Sequence, residues 1–215
     1  MTFSTMLSTM SSGMVKTFLI FALTLLGSLP LGMIVALLRK SRFAPVRGFI
    51  KAYISIMRGT PLMLQLLVWY FGPFYLFGWN IGNWRFPAII VGFVLNYAAY
   101  FAEIYLGGIE SIPAGQYEAA EVLGFTKFQT FMRIILPQVI KIIMPSVTNE
   151  VITLVKDTSL AFTLAYQEVF SMAKQISASQ TSFMPFLIAG VFYFVANYVV
   201  EIVMNRIEKS MDYYK

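Results

Sequence analysis

The chain is 215 residues long, 58% hydrophobic and only 12% charged, with a mean hydropathy of +0.72, so it carries more apolar surface than a water-soluble domain of this size covers. It contains no cysteine and no histidine, which excludes disulfides, thiolate nucleophiles, imidazole bases and the commonest transition-metal ligand sets. The net charge of +6 does not point to nucleic acid, because the basic residues cluster beside apolar runs and read as topology signals.

A membrane-spanning helix needs about 20 mainly apolar residues. The first such run covers residues 17–38 without a charge and is followed at once by Arg39, Lys40, Arg42, Arg47 and Lys51. Its length, the charges behind it and the lack of an A-x-A cleavage pattern make it a span rather than a signal peptide. Ser28, Gly32 and Ala36 recur every four residues along it, a small-residue face suited to close helix packing. Residues 59–84 form a second uncharged stretch, and residues 86–102 a third that reads on through Glu103 toward Gly108. Residues 139–167 are a fourth span with Lys141, Glu150, Lys156 and Asp157 inside it, and residues 183–203 are the last. The expected fold is therefore all-α and integral to the membrane, with about five transmembrane helices in one domain, residues 1–215. Twelve Lys and Arg lie in residues 39–58, 127–141 and 206–215, against Lys16, Arg85 and Lys174 on the other side. By the positive-inside rule the N-terminus is outside and the C-terminus cytoplasmic, which sets Trp79 and Trp84 at the outer boundary.

Residues 108–137 are too polar to span and too regularly patterned for a slack linker. Ser111, Pro113 and Gly115 are helix start signals, Ser as a cap and Pro in the first turn. Glu118, Ala119, Ala120, Glu121, Val122 and Leu123 favour helix, and Gly124 ends it, since glycine adopts the left-handed C-terminal conformation freely. A second amphipathic segment then leads into the membrane at Pro137.

Glu118-Ala119-Ala120, Gly124, Ile134, Leu136 and Pro137 at these spacings resemble the EAA loop of ABC importer permeases, here about residues 109–137. Ser111-Ile112-Pro113, Gly115-Gln116 and the distant Arg58-Gly59-Thr60-Pro61-Leu62 with Gln65 resemble the polar amino-acid subfamily. The resemblance implies a type I ABC importer permease in the bacterial cytoplasmic membrane, moving a polar amino acid by alternating access. It implies that Glu118, Ala119, Ala120 and Gly124, together with Gln116, dock a coupling helix into a cytoplasmic ATP-binding subunit. It also implies a second permease copy or a related permease, and an extracellular or periplasmic amino-acid-binding protein; membrane lipid surrounds the assembly, and no nucleic acid takes part. Leu106 departs from the resemblance, standing where many relatives carry Arg. The chain has no Gly-x-x-x-x-Gly-Lys-Ser/Thr phosphate loop, so no cofactor is expected in it, and ATP with Mg²⁺ belongs to the partner ATPase.

Ionisable residues inside a span cost about 2.5–3.5 kcal/mol each on insertion scales and read as functional. At about 1.5 Å per residue Glu150 stands about 20 Å along its helix from Pro137, near the middle of a roughly 30 Å hydrocarbon layer. Glu150, Thr153 and Asp157 share one helix face, and Asn149, Thr153 and Lys156 an overlapping one. Glu150 and Lys156 lie about 120° apart around the helix, so an intrahelical salt bridge does not explain them. The stripe offers a cation for an amino-acid carboxylate and anions for its ammonium, and Thr158 and Ser159 add neutral hydrogen bonds. The resemblance implies a pathway between two permease subunits lined partly by this helix, so these residues are expected to line it. On the third span Asn96 and Tyr100 share a face with Glu103; Asn96 is deep enough for the pathway, whereas Glu103 is near the cytoplasmic end.

Two other readings of the charges remain at this level. They pair across helices or across a dimer, for instance with Arg58, or they serve an ion- or proton-coupled secondary transporter. Against the second, five spans in one copy give no paired inverted halves. An enzyme is not expected, since the chain lacks a nucleophile and base in any recognisable pairing.

Overall fold

Helix α1, Phe3–Arg39, is the long first span and ends where the basic cluster begins. A computed structural model describes residues 2–211; Met1 and residues 212–215, with Lys215 of the basic tail, lie outside the described residues. α1 starts well before residue 17. Its extra turns carry Met6, Met10 and Met14 at a spacing of four residues, all buried, with serines and threonines on the other side.

Residues 59–84 are not one helix. Helix α2, Ala44–Gly59, and helix α3, Leu62–Phe77, are bent by 112° about Thr60 and Pro61. Pro61 has no amide hydrogen and restricts Thr60 to extended backbone, so α2 stops there, and Pro61 fits the start of α3. Helix α4, Arg85–Glu110, is the central post. Its Phe93, Tyr97, Phe101 and Tyr105 stack along one side with centroids 6.3–6.5 Å apart. On another side α1 comes close enough that a Cβ at Gly32 would stand 2.8 Å from Phe101 Cβ and 3.1 Å from the Ala98 carbonyl oxygen. The Ser28, Gly32 and Ala36 face is thus the α1–α4 contact.

Ser111 does not open the next helix. It closes α4, its hydroxyl bonding the Gly108 carbonyl, and Pro113 precedes helix α5, Ala114–Val122. Gly124 takes φ +76° while the Phe125 amide reaches back to the Ala120 carbonyl, a left-handed stop of the expected kind. Thr126 and Gln129 then cap helix α6, Lys127–Thr130, reciprocally. A π-helical turn, Phe131–Ile135, joins α6 to helix α7, Leu136–Asp157. Pro137 has no amide for the Arg133 carbonyl, and the turn widens there.

The fourth span also ends earlier than residue 167. After Asp157 the chain tightens into a 3-10 segment, Thr158–Leu164, and Ala165 reverses it at φ 53°. Helix α8, Val169–Gln180, follows, and α9, Met184–Ser210, is the last span. Among the described residues four helical stretches are long and apolar enough to cross a membrane, and the bent α2–α3 pair brings the number to five when it is counted as one span. The large apolar side chains left outward on α9, such as Val191, Phe194 and Tyr198, face the lipid expected around such a bundle.

Candidate functional site

The break between α2 and α3 leaves backbone carbonyls without helical partners, and two amide side chains take them. Gln65 Nε2 donates to the Met57 carbonyl at 2.9 Å and to the Thr60 carbonyl at 3.1 Å. Asn96 Nδ2 donates to the same Met57 carbonyl at 2.9 Å and to Gln65 Oε1 at 3.0 Å. Irregular backbone at membrane depth is tolerated where it is buried in protein or lines a cavity. Here it does the second: a cavity of 550 Å³ is lined by the Arg58–Leu62 break, by Asn96, Tyr97 and Tyr100 of α4, and by Glu150, Thr153 and Asp157 of α7.

Three charges set its electrostatics. Asp157 Oδ2 accepts from the Tyr97 hydroxyl at 2.8 Å. Glu150 makes no such bond among the described residues and shares the cavity with Asp157 and Arg58. Arg58 is held at the rim by Glu103, 3.2 Å away, with its guanidinium over the Tyr100 ring. The cross-helix ion pair therefore joins Arg58 to Glu103 and leaves both α7 carboxylates toward the cavity. Lys156 and Asn149 are exposed and Ser159 is half-buried, none of them on the cavity wall. Thr158 is buried, its hydroxyl bonded to the Val155 carbonyl.

Two residues were not foreseen. Tyr97 had no mark in sequence beyond being one of twelve tyrosines. Glu168 is fully buried and caps α8, accepting from the Phe170 and Ser171 amides at 2.7 and 2.6 Å and from the Tyr193 hydroxyl at 2.8 Å.

At the other end of α4 lies the loop carrying α5, most of whose side chains are exposed. Glu118 and Ala119 are exposed, whereas Ala120 turns inward against its own loop. Val122 and Leu123 are 88% and 73% exposed and Phe128 73%, an apolar surface beside the acidic helix. Gln116 Oε1 receives Gln138 Nε2 at 3.3 Å, and the same Gln138 amide donates to the Ile134 carbonyl in the π turn at 2.7 Å. That link ties α5 to the first turn of α7.

The family described as binding-protein-dependent transport system inner membrane component matches residues 28–213. The chain belongs to that family. This permease is 35% identical over 208 residues to the L-cystine transport system permease protein TcyB of Bacillus subtilis (strain 168), covering 95% of this chain and 87% of that one. It is 34% identical over 200 residues to the arginine transport system permease protein ArtQ of the same organism, covering 93% and 90%. The solved structure of an amino acid ABC transporter with histidines superposes with a TM-score of 0.86 at 31% identity, covering 94% of each chain. The permease is thus a multi-pass membrane subunit of an ATP-driven importer, with the type I importer fold; it is a transporter subunit and not an enzyme, and a separate subunit hydrolyses ATP. Nothing supports the ion-coupled alternative.

Proposed function

We propose that the permease carries an amino acid with a cationic side chain, and that the cavity between the α2–α3 break, α4 and α7 is where it binds. One observation carries the reading: two carboxylates, Glu150 and Asp157, face one cavity whose single guanidinium, Arg58, is already neutralised by Glu103. An arginine-like substrate brings an ammonium, a carboxylate and a side-chain cation. Arg58, which meets Glu103 through one nitrogen, offers the remaining N–H groups of its guanidinium to the carboxylate, and Glu150 and Asp157 take the two cations. A neutral amino acid leaves one carboxylate unpaired in a partly desolvated site, and an acidic one adds a like charge to it, both unfavourable. The volume lies within the roughly 300–1,000 Å³ usual for small-molecule sites.

In this reading Asn96 and Tyr100 shape the wall, Thr153 supplies a neutral hydrogen bond, and Lys156, Asn149, Thr158 and Ser159 act outside the immediate pocket. Glu118, Ala119, Val122 and Leu123 dock on the ATPase, which binds ATP and Mg²⁺; this chain binds neither. The α5 end is cytoplasmic in this reading, which the twelve clustered basic residues support, and the opposite end meets the binding protein. The importer comprises two permease subunits, two ATPases and a binding protein, and its dimer interface completes the pathway.

Equilibrium binding of labelled L-arginine and L-glutamate to the detergent-solubilised permease–ATPase complex, without binding protein, tests the substrate class. Arginine binds and glutamate does not, and Asp157→Asn weakens arginine binding. Glutamate binding as tight as arginine, or no binding of either, overturns it.

A further inference from the structure

Three cations stand at the end of the bundle opposite α5, and all three converge on one turn. Lys174 Nζ lies 5.1 Å from the ring centre of Phe162 and Lys16 Nζ 6.0 Å from that of Tyr166. Arg85 Nη1 donates to the Ala165 carbonyl at 3.5 Å, and the neighbouring Phe86 stacks on Tyr166 at 5.4 Å. The turn belongs to the stretch that directly follows Asp157, and Leu160 of the same stretch lines the cavity. Residues 158–164 touch α1, α3, α4, α7 and α8, so cations resting here gather over the middle of the bundle rather than around its lipid-facing rim. Arg85 and Lys174 are exposed and Lys16 is partly so.

No acid answers them. Residues 1–38, 66–102 and 158–200 contain a single carboxylate, Glu168, and it is fully buried and bonded to Tyr193 and the first amides of α8. Among the described residues this end therefore presents three positive charges and no exposed negative one.

We infer that Lys16, Arg85 and Lys174 form the docking surface for an acidic face of the importer's soluble binding protein, and that docking draws them off the 162–166 turn. The inference rests on the reading above that this end faces outside. An exposed cation over an aromatic ring, or on a neutral carbonyl, is weakly held, and a carboxylate makes a stronger, charge-assisted bond to the same group. Each exchange removes a restraint from the turn whose inner side closes the Asp157 cavity. Partner arrival and release of the outer side of the cavity thereby become one event. Phospholipid headgroups carry the complementary charge too, but they would call for cations around the perimeter, not three directed at one central turn.

The test uses the assembled permease–ATPase complex in nanodiscs of phosphatidylcholine alone, with the purified, ligand-loaded binding protein of the same importer as probe. ATPase stimulation is followed against binding-protein concentration at low and physiological salt. For the triple variant Lys16→Gln, Arg85→Gln, Lys174→Gln the half-saturating concentration rises about tenfold and its salt dependence flattens, as expected when complementary charges are removed. The three single variants shift the same way by smaller steps, so the answer does not depend on assembly of the triple variant. Native half-saturation with native salt dependence in these variants overturns the inference. So does a defect that appears only when anionic lipid is added, which would assign the cations to headgroups, or labelling of Lys174→Cys by an impermeant maleimide from the ATPase side alone. Arginine binding to the same complexes without binding protein reports on the substrate reading separately and is unchanged in the triad variants.

Discussion

Replacing Glu150 by glutamine keeps its size and removes its charge, at a carboxylate that has no hydrogen-bond partner among the described residues and faces the cavity beside Asp157. A cation about 4 Å from a carboxylate near a protein surface gains at most about 4 kcal/mol at an effective dielectric constant of about 20. The glutamine oxygen recovers part of this as a neutral hydrogen bond. A charged hydrogen bond contributes about 1.5–3 kcal/mol net and a neutral one about 0.5–1.5 kcal/mol, so the loss is about 1.5 kcal/mol. That corresponds to about a tenfold weaker dissociation constant for L-arginine. The assay is equilibrium binding of labelled arginine to the solubilised permease–ATPase complex, with L-glutamine measured in parallel. Glutamine has no side-chain cation to lose, so its affinity holds or improves. An unchanged arginine affinity, or equal weakening of both ligands, refutes the assignment of Glu150 to a substrate cation.

Gly32→Ala forces a Cβ against the Phe101 Cβ and the Ala98 carbonyl, neither of which swings away, and costs about 1–3 kcal/mol; Gly190→Ala, with nothing within 4 Å, is the control. Thermal inactivation of the solubilised protein separates the two, and equal midpoints contradict the close α1–α4 packing. Glu168→Ala strips the acceptor from two α8 amides and the Tyr193 hydroxyl and destabilises by about 3 kcal/mol, read as a lower melting midpoint, whereas Tyr193→Phe costs about 1 kcal/mol. A Glu168→Ala midpoint equal to the native one removes its anchoring role. Gly124→Val places a branched side chain at φ +76°, a conformation costing a non-glycine residue about 1–2 kcal/mol or more. Reconstituted importers then hydrolyse more ATP per amino acid moved, and a native ratio would show that the turn does not transmit force.

The spans were legible because hydropathy needs no knowledge of partners: α4 and α9 lie close to the apolar runs that announced them. The break at Gly59–Pro61 was hidden inside an uncharged stretch, although Thr60-Pro61 carries the backbone restriction that causes it. The end of α7 after Asp157 has no such mark. Thr158–Tyr166 is as apolar as the helix before it, and its reversal at Ala165 is set by packing against five other helices, information a linear pattern does not hold. Ser111 was ambiguous for a different reason, since one hydroxyl can close the helix behind it or open the one ahead, and Pro113 decides between them. In the site, the shared face of Glu150, Thr153 and Asp157 could be read from spacing, and these three side chains do share one cavity. Tyr97, which bonds Asp157, and Arg58 across the cavity come from other helices, so distance along the chain says nothing about them. Lys156 shows the converse: its neighbour Asp157 faces inward and it does not, because 100° of helix separates adjacent residues.

The amide pair that seals the α2–α3 break bears on turnover. Because Gln65 and Asn96 already occupy the Met57 and Thr60 carbonyls, these two groups at the break ask nothing of the cargo. A wall with open carbonyls would bind the arriving ammonium more firmly, and each departure would then strand those groups, slowing release to the cytoplasm. In the proposed reading the grip then falls to the side chains of Glu150 and Asp157 on α7 and of Arg58 on α2. Those two carbonyls are thus equally satisfied with cargo bound and with the cavity empty, so letting go strands neither of them.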